Sequence, residues 1–374
     1  MAARKHILRA WKEQESMKLN EYVTLGRSGL RVSPLCLGTL TFGTAWGIGV
    51  DEPSSRVLFD KYLEAGGNSI DTADNYNNGT TEEIVGRFIK DANVRDKVVL
   101  ATKFSFSAQF GNPNAGGNGR KNIYRSLETS LRRLQTDYID LYWLHVWDTM
   151  TPVEEVLATF DALVKSGKVR YIALSDVPAW YMTRAQTLAE LHGRERIIAL
   201  QLEYSLLERT AEREHIPAAQ ELGIGFCPWS PLAAGKLSGK YQRGAAPSEP
   251  QSRLDIQKAT GTLLLDRSSE KDWKVVDTLI EVAKQIGRPP AEVALNWAAT
   301  QPGVTSTIIG ATKPAQLESN LRSLDFSIPA ELRSRLDSAG ALDPLAQPYV
   351  FFAPTLQSRI KGGVDIHPWA RSSI

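Results

Sequence analysis

The chain has 374 residues, enough to bury the core of one large domain, and its 42% hydrophobic and 23% charged residues are typical of a globular protein. Its formal net charge of +2 comes from charges of both signs mixed along the sequence, without the basic cluster of a nucleic-acid-binding protein. It contains no stretch of about eighteen apolar residues, so we expect no membrane-spanning helix and no membrane partner.

The two cysteines, Cys36 and Cys227, each lie within an apolar run, where buried reduced thiols are typical. Neither belongs to a disulfide framework or a CxxC metal motif, so we expect a reducing compartment and a cytoplasmic protein. The five histidines show no spacing of metal ligands, and no metal site is predicted. Residues 1–16 lack the apolar stretch of a secretory signal; a flexible extension and a start ahead of Met17 are both consistent with them.

Short apolar runs alternate with helical patterns along the first half of the chain. The predicted strands are residues 35–39, 68–72, 98–102 and 138–144. Helices are predicted over residues 54–65, from Thr80 onward and over residues 123–134. Thr80-x-x-Glu83 has the form of a capping box. Thr151, followed by Pro152, predicts the N-terminal cap of a further helix, and Gly167 predicts its end.

The second half continues this alternation. Its predicted strands are residues 169–174, 197–202, 225–228 and 305–309, and its predicted helices are residues 180–191, 214–222, 273–286 and 314–324. Eight strands, each followed by a helix, predict an α/β fold, the (β/α)8 TIM barrel, because parallel strands need crossover helices and eight of them close without an edge. An open doubly wound sheet is the alternative, but the sequence has no GxGxxG motif to support it as a nucleotide binder.

The predicted barrel occupies residues 21–342 and is flanked on both sides. We expect an N-terminal extension at residues 1–20 and a C-terminal segment, residues 343–374, that lies over the active site. Residues 105–121 and 235–270 are also long and irregular. Long loops in compact domains are often functional, so these segments are candidate lids.

Polar side chains end several of the predicted strands, and the carboxyl ends of the strands carry the chemistry of such a barrel. They are Asp71, Lys103 and His145 on strands two to four, Ser175 and Asp176 on strand five, Gln201 on strand six, and Trp229 with Ser230 on strand seven. A charged residue at the end of an apolar strand costs free energy unless it is paired or used. Several of them at one rim therefore indicate a site.

Tyr76, in the loop after strand two, completes a predicted proton-transfer centre. A free tyrosine has a pKa of about 10, too high for efficient proton transfer near neutrality. We expect a buried Lys103 ammonium, held by Asp71, to lower the pKa of Tyr76, and a neutral His145 to orient a substrate oxygen. Each side chain alone has an ordinary explanation as a cap, a strand end or a loop residue. The four together favour acid–base catalysis beside a hydride donor, on a carbonyl or an alcohol.

These motifs resemble those of the aldo-keto reductase superfamily. The matching segments are Asp71-Thr-Ala-Asp-Asn-Tyr76, Ala101-Thr-Lys103 and Leu144-His145. The similarity covers about residues 21–324, and residues 25–33 are similar to the hairpin at the barrel floor of many bacterial members. The resemblance implies that the aspartate, tyrosine, lysine and histidine of these motifs are the catalytic residues.

The resemblance also implies that NADP(H), or alternatively NAD(H), lies extended across the rim. Ser175, Asp176 and Gln201 correspond to contacts with the nicotinamide amide, and Trp229 corresponds to a ring that stacks on the nicotinamide. The implied pyrophosphate contacts are Ser230, Leu232, Gly235 and Lys240. The implied contacts with the adenosine end, at a helix N-terminus that favours anions, are Gly310, Thr312, Lys313, Gln316 and Asn320.

Two residues depart from the family pattern. Asp176 stands where many members have asparagine, so an amide donor to the nicotinamide is missing. Gln316 stands where many members have an arginine that faces the 2′-phosphate, and Lys313 is the alternative source of that charge.

Aromatic residues near Tyr76 predict an apolar substrate mouth. They are Trp46, Phe104 and Trp147, with Phe351 or Phe352 as further candidates. We expect a preference for bulky or aromatic aldehydes and ketones. The predicted function is NADP(H)-dependent reduction of a small-molecule carbonyl, or oxidation of the alcohol. The alternative is a redox-sensing regulatory subunit that binds cofactor with little turnover, like the potassium-channel β-subunits of this superfamily.

Overall fold

The computed structural model describes residues 16–241, residue 243 and residues 267–364. Most of the predicted N-terminal extension, the centre of the 235–270 segment and the end of the C-terminal segment lie outside the described residues. None of the helices within these ranges has the length and apolar character needed to cross a membrane.

A short hairpin, β1 (Val23–Thr24) and β2 (Arg31–Val32), precedes the barrel. Leu25 is buried among inward-facing side chains of the barrel strands. Gly26 has φ +59°, and a Cβ there would lie 2.3 Å from the carbonyl oxygen of Ile198, so only glycine fits this turn. The hairpin therefore packs closely against the amino-terminal ends of the strands, at the floor of the barrel.

Eight parallel strands form the nearly closed barrel. They are β3 (Leu35–Gly38), β4 (Ser69–Asp71), β5 (Val99–Phe104), β6 (Ile139–Leu144), β7 (Val169–Ser175), β8 (Ile197–Glu203), β9 (Gly225–Trp229) and β10 (Thr307–Ile309). From β3 to β9 each strand pairs with the next along the chain, and β10 returns to pair with β3. A single bridge, Phe226 to Val304, joins the β9 side to the β10 side. The predicted (β/α)8 class is confirmed.

Helices cover the outside of the barrel and connect its strands. They are α1 (Glu52–Glu64), α2 (Thr80–Ala92), α3 (Arg120–Leu134), α4 (Val153–Lys165), α5 (Ala179–Leu191), α6 (His215–Leu222), α7 (Glu270–Ile286), α8 (Pro290–Ala299), α9 (Pro314–Arg322), α10 (Ala330–Ala339) and α11 (Pro354–Ile360). Short 3-10 helices lie at Tyr76–Gly79, Arg95–Lys97, Thr210–Glu212, Ala233–Ser238 and Tyr349–Phe352. Both α7 and α8 separate β9 from β10, while α10 and α11 follow the last helix of the barrel.

The capping box predicted at the start of α2 is wrong. The helix begins at Thr80, but its N-cap is Gly79 with φ +95°, and no side chain caps it. The preceding turn runs directly into the helix, which leaves Thr80 inside the first turn, where its hydroxyl is no longer at the capping position.

The cap predicted for α4 is also wrong. Pro152 is the N-cap of this helix, and the Thr151 hydroxyl donates to Asp148 Oδ2 at 2.6 Å instead of capping it. A capping box that was not predicted, Ser269 with Asp272, begins α7 and extends that helix beyond its predicted start.

Strand alternation divides the apolar core into two layers. Trp143 points into the barrel, while its neighbours Tyr142 and Leu144 pack under the helices. Cys36 and Cys227 are both free and buried, as predicted. The positions of catalytic side chains follow from the same rule, because only every second residue of a strand can face the interior.

Candidate active site

The turn that carries Tyr76 is held by the residue that follows it. Asn77 has φ 46°, in the left-handed region that asparagine adopts more readily than most residues. Its buried side chain donates to the Phe42 carbonyl at 3.2 Å and accepts from the Trp46 amide at 3.2 Å. Asn77 therefore ties the tyrosine turn to the loop between β3 and α1.

Lys103, on β5, is fully buried, and its ammonium group makes three hydrogen bonds within this site. Nζ donates to Asp71 Oδ1, to the Thr72 carbonyl at 3.0 Å and to Tyr76 Oη at 3.2 Å. The second oxygen of Asp71 accepts from Gln201 Nε2 at 3.2 Å. Although burial by itself would lower the pKa of Lys103, the charges of Asp71 and Tyr76 raise it above its ordinary value. The ammonium therefore stays charged.

Tyr76 is half-buried, and its phenol remains protonated at neutral pH. Burial raises its pKa, the Lys103 ammonium acts to lower it, and the charges of Asp71 and Asp176 act to raise it further. The predicted net lowering is wrong for this structure: the ammonium acts in the expected direction, but burial outweighs it. Tyr76 is thus set up as a proton donor.

His145 follows β6 and faces the tyrosine. Its ring lies edge-on to Tyr76, with centroids 5.8 Å apart, and edge-on to Phe106 at 4.9 Å. Burial, together with the nearby Lys103 charge, holds the pKa of His145 well below its ordinary value, so the imidazole is neutral. Within the described residues its Nδ1 atom has no hydrogen-bond partner. A neutral imidazole beside Tyr76 can donate a hydrogen bond to a substrate oxygen.

A second buried acidic group lies behind the catalytic turn. The Asp74 amide donates to the Lys103 carbonyl at 3.0 Å, and Arg133 donates to the Asp74 carbonyl at 2.8 Å and to Glu82 Oε2 at 3.1 Å. Burial, and next the Glu82 charge, raises the pKa of Asp74 to about 7. This cluster was not predicted from the sequence, because its members come from α2, α3 and the loop after β4.

Asp176 organises the side of the site predicted to hold the nicotinamide. Ser175 Oγ donates to Asp176 Oδ2 at 3.2 Å, and Trp229 Nε1 donates to Asp176 Oδ1 at 3.2 Å. Burial raises the pKa of Asp176 to about 6, although these two hydrogen bonds act to lower it. Gln201, paired in register with Ser175, directs its amide nitrogen to Asp71. The indole of Trp229 is therefore held by Asp176, and Gln201 supports the Lys103 ion pair.

The residues predicted to contact a pyrophosphate lie in one tight turn after β9. Its left-handed residues are Ser230 (φ 52°), Ala233 (φ 48°), Ala234 (φ 54°) and Gly235 (φ 94°). Leu232 lies between them and is half-buried. A Cβ on Gly235 would lie 3.3 Å from Cε of Lys240, which brings that lysine to the same turn. The amides of Ala233, Ala234 and Gly235 already donate within the turn, to Ser230 and Leu232, so the positive charge at this turn comes from the Lys240 side chain.

The predicted adenosine contacts lie together at the start of α9. Gln316 Oε1 accepts from the Thr312 amide at 2.9 Å and from the Lys313 amide at 3.2 Å, so this side chain caps its own helix. The Lys313 side chain is exposed. Asn320 is buried and donates to the Gly310 carbonyl at 3.1 Å. The structure thus leaves Lys313, rather than Gln316, as the side chain that extends from this helix end.

Aromatic rings border the catalytic tyrosine. Trp46 lies edge-on to Tyr76 with centroids 6.1 Å apart, and Phe106, which is 45% exposed, borders His145. Trp147 is half-buried and packs edge-on against Trp180 at 5.4 Å, further around the rim. The mouth nearest the catalytic group is therefore formed by Trp46 and Phe106.

The chain matches the Aldo/keto reductase family over residues 34–341. It belongs to that family. The uncharacterized oxidoreductase YrpG of Bacillus subtilis (strain 168) is 38% identical over 327 residues, which cover 85% of this chain and 95% of that protein. A probable voltage-gated potassium channel subunit beta of Oryza sativa subsp. japonica is 37% identical over 309 residues, with 82% and 91% covered. An aryl-alcohol dehydrogenase (NADP(+)) of Phanerodontia chrysosporium is 34% identical over 319 residues, with 81% of each chain covered.

This aldo/keto reductase is an oxidoreductase. One of the side chains predicted for its substrate mouth, Phe104, lies elsewhere. Phe104 is fully buried and packs against Tyr142 and Phe160, with ring centroids 5.0 and 5.8 Å away. Lys103 points into the barrel, so the next residue of the strand has to point outward, under the helices. The prediction for Phe104 is wrong for this reason.

Two residues near the catalytic group of the reductase were missed. Phe106 lies in the 105–121 loop, where no periodicity indicates which side chains face the site. Asn77 has a signal in the sequence, an Asn-Asn-Gly run typical of left-handed turns, but its partners lie about 35 positions earlier in the chain. Phe351 and Phe352 are exposed in the 3-10 helix at Tyr349–Phe352.

Proposed function

We propose that this protein is an NADP(H)-dependent oxidoreductase that interconverts a carbonyl compound and its alcohol. The observation that carries the proposal is the buried Lys103 ammonium, bonded to both Asp71 and Tyr76. A phenol in contact with a permanently charged ammonium can release its proton to a substrate oxygen and be left as a stabilised phenolate.

The chain's own residues account for proton transfer in the reduction. Tyr76 Oη donates its proton to the developing alkoxide, and Lys103 Nζ stabilises the phenolate that remains. Neutral His145 donates a hydrogen bond to the same oxygen and orients the carbonyl. The nicotinamide, when bound, supplies or accepts the hydride. Because Asp71 and Thr72 take the other two ammonium protons, Lys103 cannot turn away from Tyr76 without losing them.

The rim residues fit an extended dinucleotide. Trp229 offers a ring whose orientation Asp176 holds, and Lys240, beside the turn at Gly235, offers a positive charge for a pyrophosphate. Lys313 extends from the start of α9, where a 2′-phosphate would be favoured. We assign the cofactor as NADP(H) on this basis, and the name of the Phanerodontia chrysosporium relative, an aryl-alcohol dehydrogenase (NADP(+)), supports it.

We propose aromatic or other bulky aldehydes and ketones as the substrates. Trp46 and Phe106 border Tyr76 and His145 with apolar surface, and one relative is named an aryl-alcohol dehydrogenase.

We also propose that the C-terminal segment, predicted as residues 343–374, covers this side of the barrel. Its residue Tyr349 donates to Glu214, just before α6, at the end of the connection that follows β8.

A second function is supported by the potassium-channel subunit among the relatives: a cofactor-binding, redox-sensing partner with little turnover. The complete set of Asp71, Tyr76, Lys103 and His145, held at hydrogen-bonding or ring-contact distance, favours an active enzyme. A regulatory subunit would need cofactor binding but no intact proton relay.

Turnover separates the two functions. We expect the wild type to oxidise NADPH, followed by absorbance, with a nitro-substituted benzaldehyde, and Tyr76→Phe to lose about 10²–10⁴-fold in kcat with NADPH binding retained. Tyr22→Phe, at an exposed tyrosine of the barrel floor, is the matched control and should keep wild-type rates. Equal rates for wild type and Tyr76→Phe would refute the mechanism.

Quenching of tryptophan fluorescence should show tighter binding of NADPH than of NADH; the reverse order would overturn the assignment of Lys313.

A further inference from the structure

Asp176 is an acidic side chain placed among neutral hydrogen-bond donors. Its two oxygens accept from Ser175 Oγ and Trp229 Nε1, each at 3.2 Å. Both donors are uncharged, so they satisfy the carboxylate without neutralising it. Lys103, the nearby cation, is already bonded to Asp71. The ionised form of Asp176 therefore leaves a negative charge in the site that those hydrogen bonds do not balance.

The backbone places this charge beside the reacting groups. Asp176 follows the carboxyl end of β7 with φ 46°, and its amide donates to the Gln201 carbonyl at 3.1 Å. Its charge is close enough to act on the phenol of Tyr76, whose pKa it raises. A ring that passes hydride to a carbon bonded to the oxygen at Tyr76 has to lie next to that oxygen. It therefore lies within the field of Asp176.

The two forms of a nicotinamide ring differ by one charge. The oxidised ring carries a positive charge and the reduced ring is neutral, whereas the pyrophosphate, the riboses and the 2′-phosphate are common to both. A carboxylate beside the ring stabilises the oxidised form and gives the reduced form no comparable interaction. In a partly buried site this difference is screened less than it would be in water.

We propose that Asp176 is a specificity-determining residue that makes this enzyme bind the oxidised nicotinamide cofactor more tightly than the reduced one. The inference rests on the proposed function, because it requires that the cofactor binds at this rim. The proposed role of the Asp176 charge differs from a purely structural role in holding Trp229. A neutral amide at the same position could also accept from the indole.

The titration of Asp176 makes the preference for the oxidised cofactor depend on pH. Its pKa is raised to about 6, by burial first and also by the Glu203 charge, against the lowering effect of its two hydrogen bonds and of Lys103. Glu203 is itself paired with Arg267 at 3.2 Å, His145 is neutral, and Lys103 and Tyr76 keep their protons. The anion is therefore present above about pH 6 and is lost below it, and the preference for the oxidised cofactor should follow.

The test is the ratio of the dissociation constants of NADPH and NADP+, measured by calorimetry at about pH 5 and about pH 8. Titration of the 2′-phosphate is common to both ligands and cancels in the ratio. For the wild type we expect the dissociation constant of NADPH divided by that of NADP+ to be about tenfold higher at the higher pH. This change is equivalent to about 1.4 kcal/mol in favour of NADP+. For Asp176→Asn we expect one ratio at both pH values, equal to that of the wild type at the lower pH.

Asp176→Asn preserves the shape of the side chain and an oxygen for the indole, and asparagine also adopts left-handed backbone readily. Glu203→Gln is the matched control, since it removes a neighbouring carboxylate but leaves Asp176 in place. It should keep a pH dependence of the wild-type size, with its midpoint at a lower pH, because the Glu203 charge contributes to the raised pKa of Asp176. If the asparagine variant does not fold, the pH dependence of the wild type together with the Glu203→Gln control still decides the matter.

The outcomes separate the inference from the proposed function. Equal ratios in wild type and Asp176→Asn at the higher pH would overturn the role of Asp176, and so would loss of the pH dependence in Glu203→Gln. Failure of both NADPH and NADP+ to bind would instead remove the proposed function on which the inference rests.

Discussion

Tyr76 Oη lies 3.2 Å from Lys103 Nζ, and this hydrogen bond is one of three that the ammonium makes at the carboxyl end of the barrel. The phenol is thus bonded to a cation that has no freedom to move. The pKa of Tyr76 is nevertheless raised, because burial has the larger effect. The relationship therefore stabilises the phenolate formed during reaction while keeping the resting tyrosine protonated.

Lys103→Met should separate the catalytic from the structural role of the ion pair. We expect kcat to fall about 10²–10⁴-fold because the phenolate loses its cation. We also expect the free energy of unfolding to fall by about 3–5 kcal/mol, because Asp71 is left buried and unpaired. Urea unfolding and steady-state kinetics measure the two effects. In the double variant with Asp71→Asn, stability should recover and activity should not; recovery of both would contradict the assigned role of Lys103.

Asn77 should control how well the aromatic mouth is formed. Replacing it by glycine keeps the left-handed backbone but removes the bonds to Phe42 and Trp46, so we expect a loss of about 1–3 kcal/mol in unfolding free energy. Because Trp46 is no longer held, KM for an aromatic aldehyde should rise more than kcat falls. Asn78→Gly, at the exposed neighbouring left-handed residue, is the control and should change neither. An unchanged KM in Asn77→Gly would show that the Trp46 loop is positioned without this side chain.

Phe104 and Phe106 should respond differently to truncation, although they are two positions apart. Phe106→Ala removes a half-exposed ring beside His145, so KM should rise for an aromatic aldehyde and stay unchanged for a small aliphatic one. Phe104→Ala empties a core position and should cost about 3–5 kcal/mol of unfolding free energy without altering this selectivity. A change of substrate selectivity in Phe104→Ala alone would reverse our assignment of the mouth.

Asp74 should make the protein less stable as pH rises. Its pKa in the folded protein is about 7, raised above the ordinary value of 3.8 by burial and by Glu82. The folded state therefore holds a proton that the unfolded state has already released. The stabilisation is present in full below about pH 4 and is lost as pH rises through about 7.

Asp74→Asn should remove this dependence. Relative to the variant, the unfolding free energy of the wild type should fall by up to about 1.4 kcal/mol per pH unit between about pH 4 and about pH 7. Urea titrations at several pH values across that window measure it, with Asp60→Asn, at a partly exposed aspartate of α1, as the control. Parallel stability curves for wild type and Asp74→Asn would mean that the buried carboxyl does not titrate in this range.

The barrel could be predicted because its signals are local. Each strand is a short apolar run and each helix has its own periodicity, so the order of elements follows from the sequence without knowledge of their packing. The catalytic residues could be found for a related reason. Asp71, Lys103 and His145 end successive strands, and the ends of parallel strands meet at one rim in any barrel of this class.

The structure corrected the predictions that depended on neighbours distant along the chain. The orientation of Phe104 depended on the register of β5 within the barrel. The two members of the Asp74 cluster outside the catalytic loop, Glu82 and Arg133, belong to separate helices. Sequence periodicity carries no information about such pairings.

The sequence by itself determined the order of the elements, the class of barrel and the four side chains that meet at its rim, because these follow from short-range patterns and from the geometry common to parallel strands. Only the tertiary structure decided the protonation state of Tyr76, the direction of the Gln201 amide and the contact between Asp176 and Trp229. Those properties depend on the burial, the charges and the hydrogen-bond partners that side chains from different strands provide for one another. These surroundings exist only once the chain is folded.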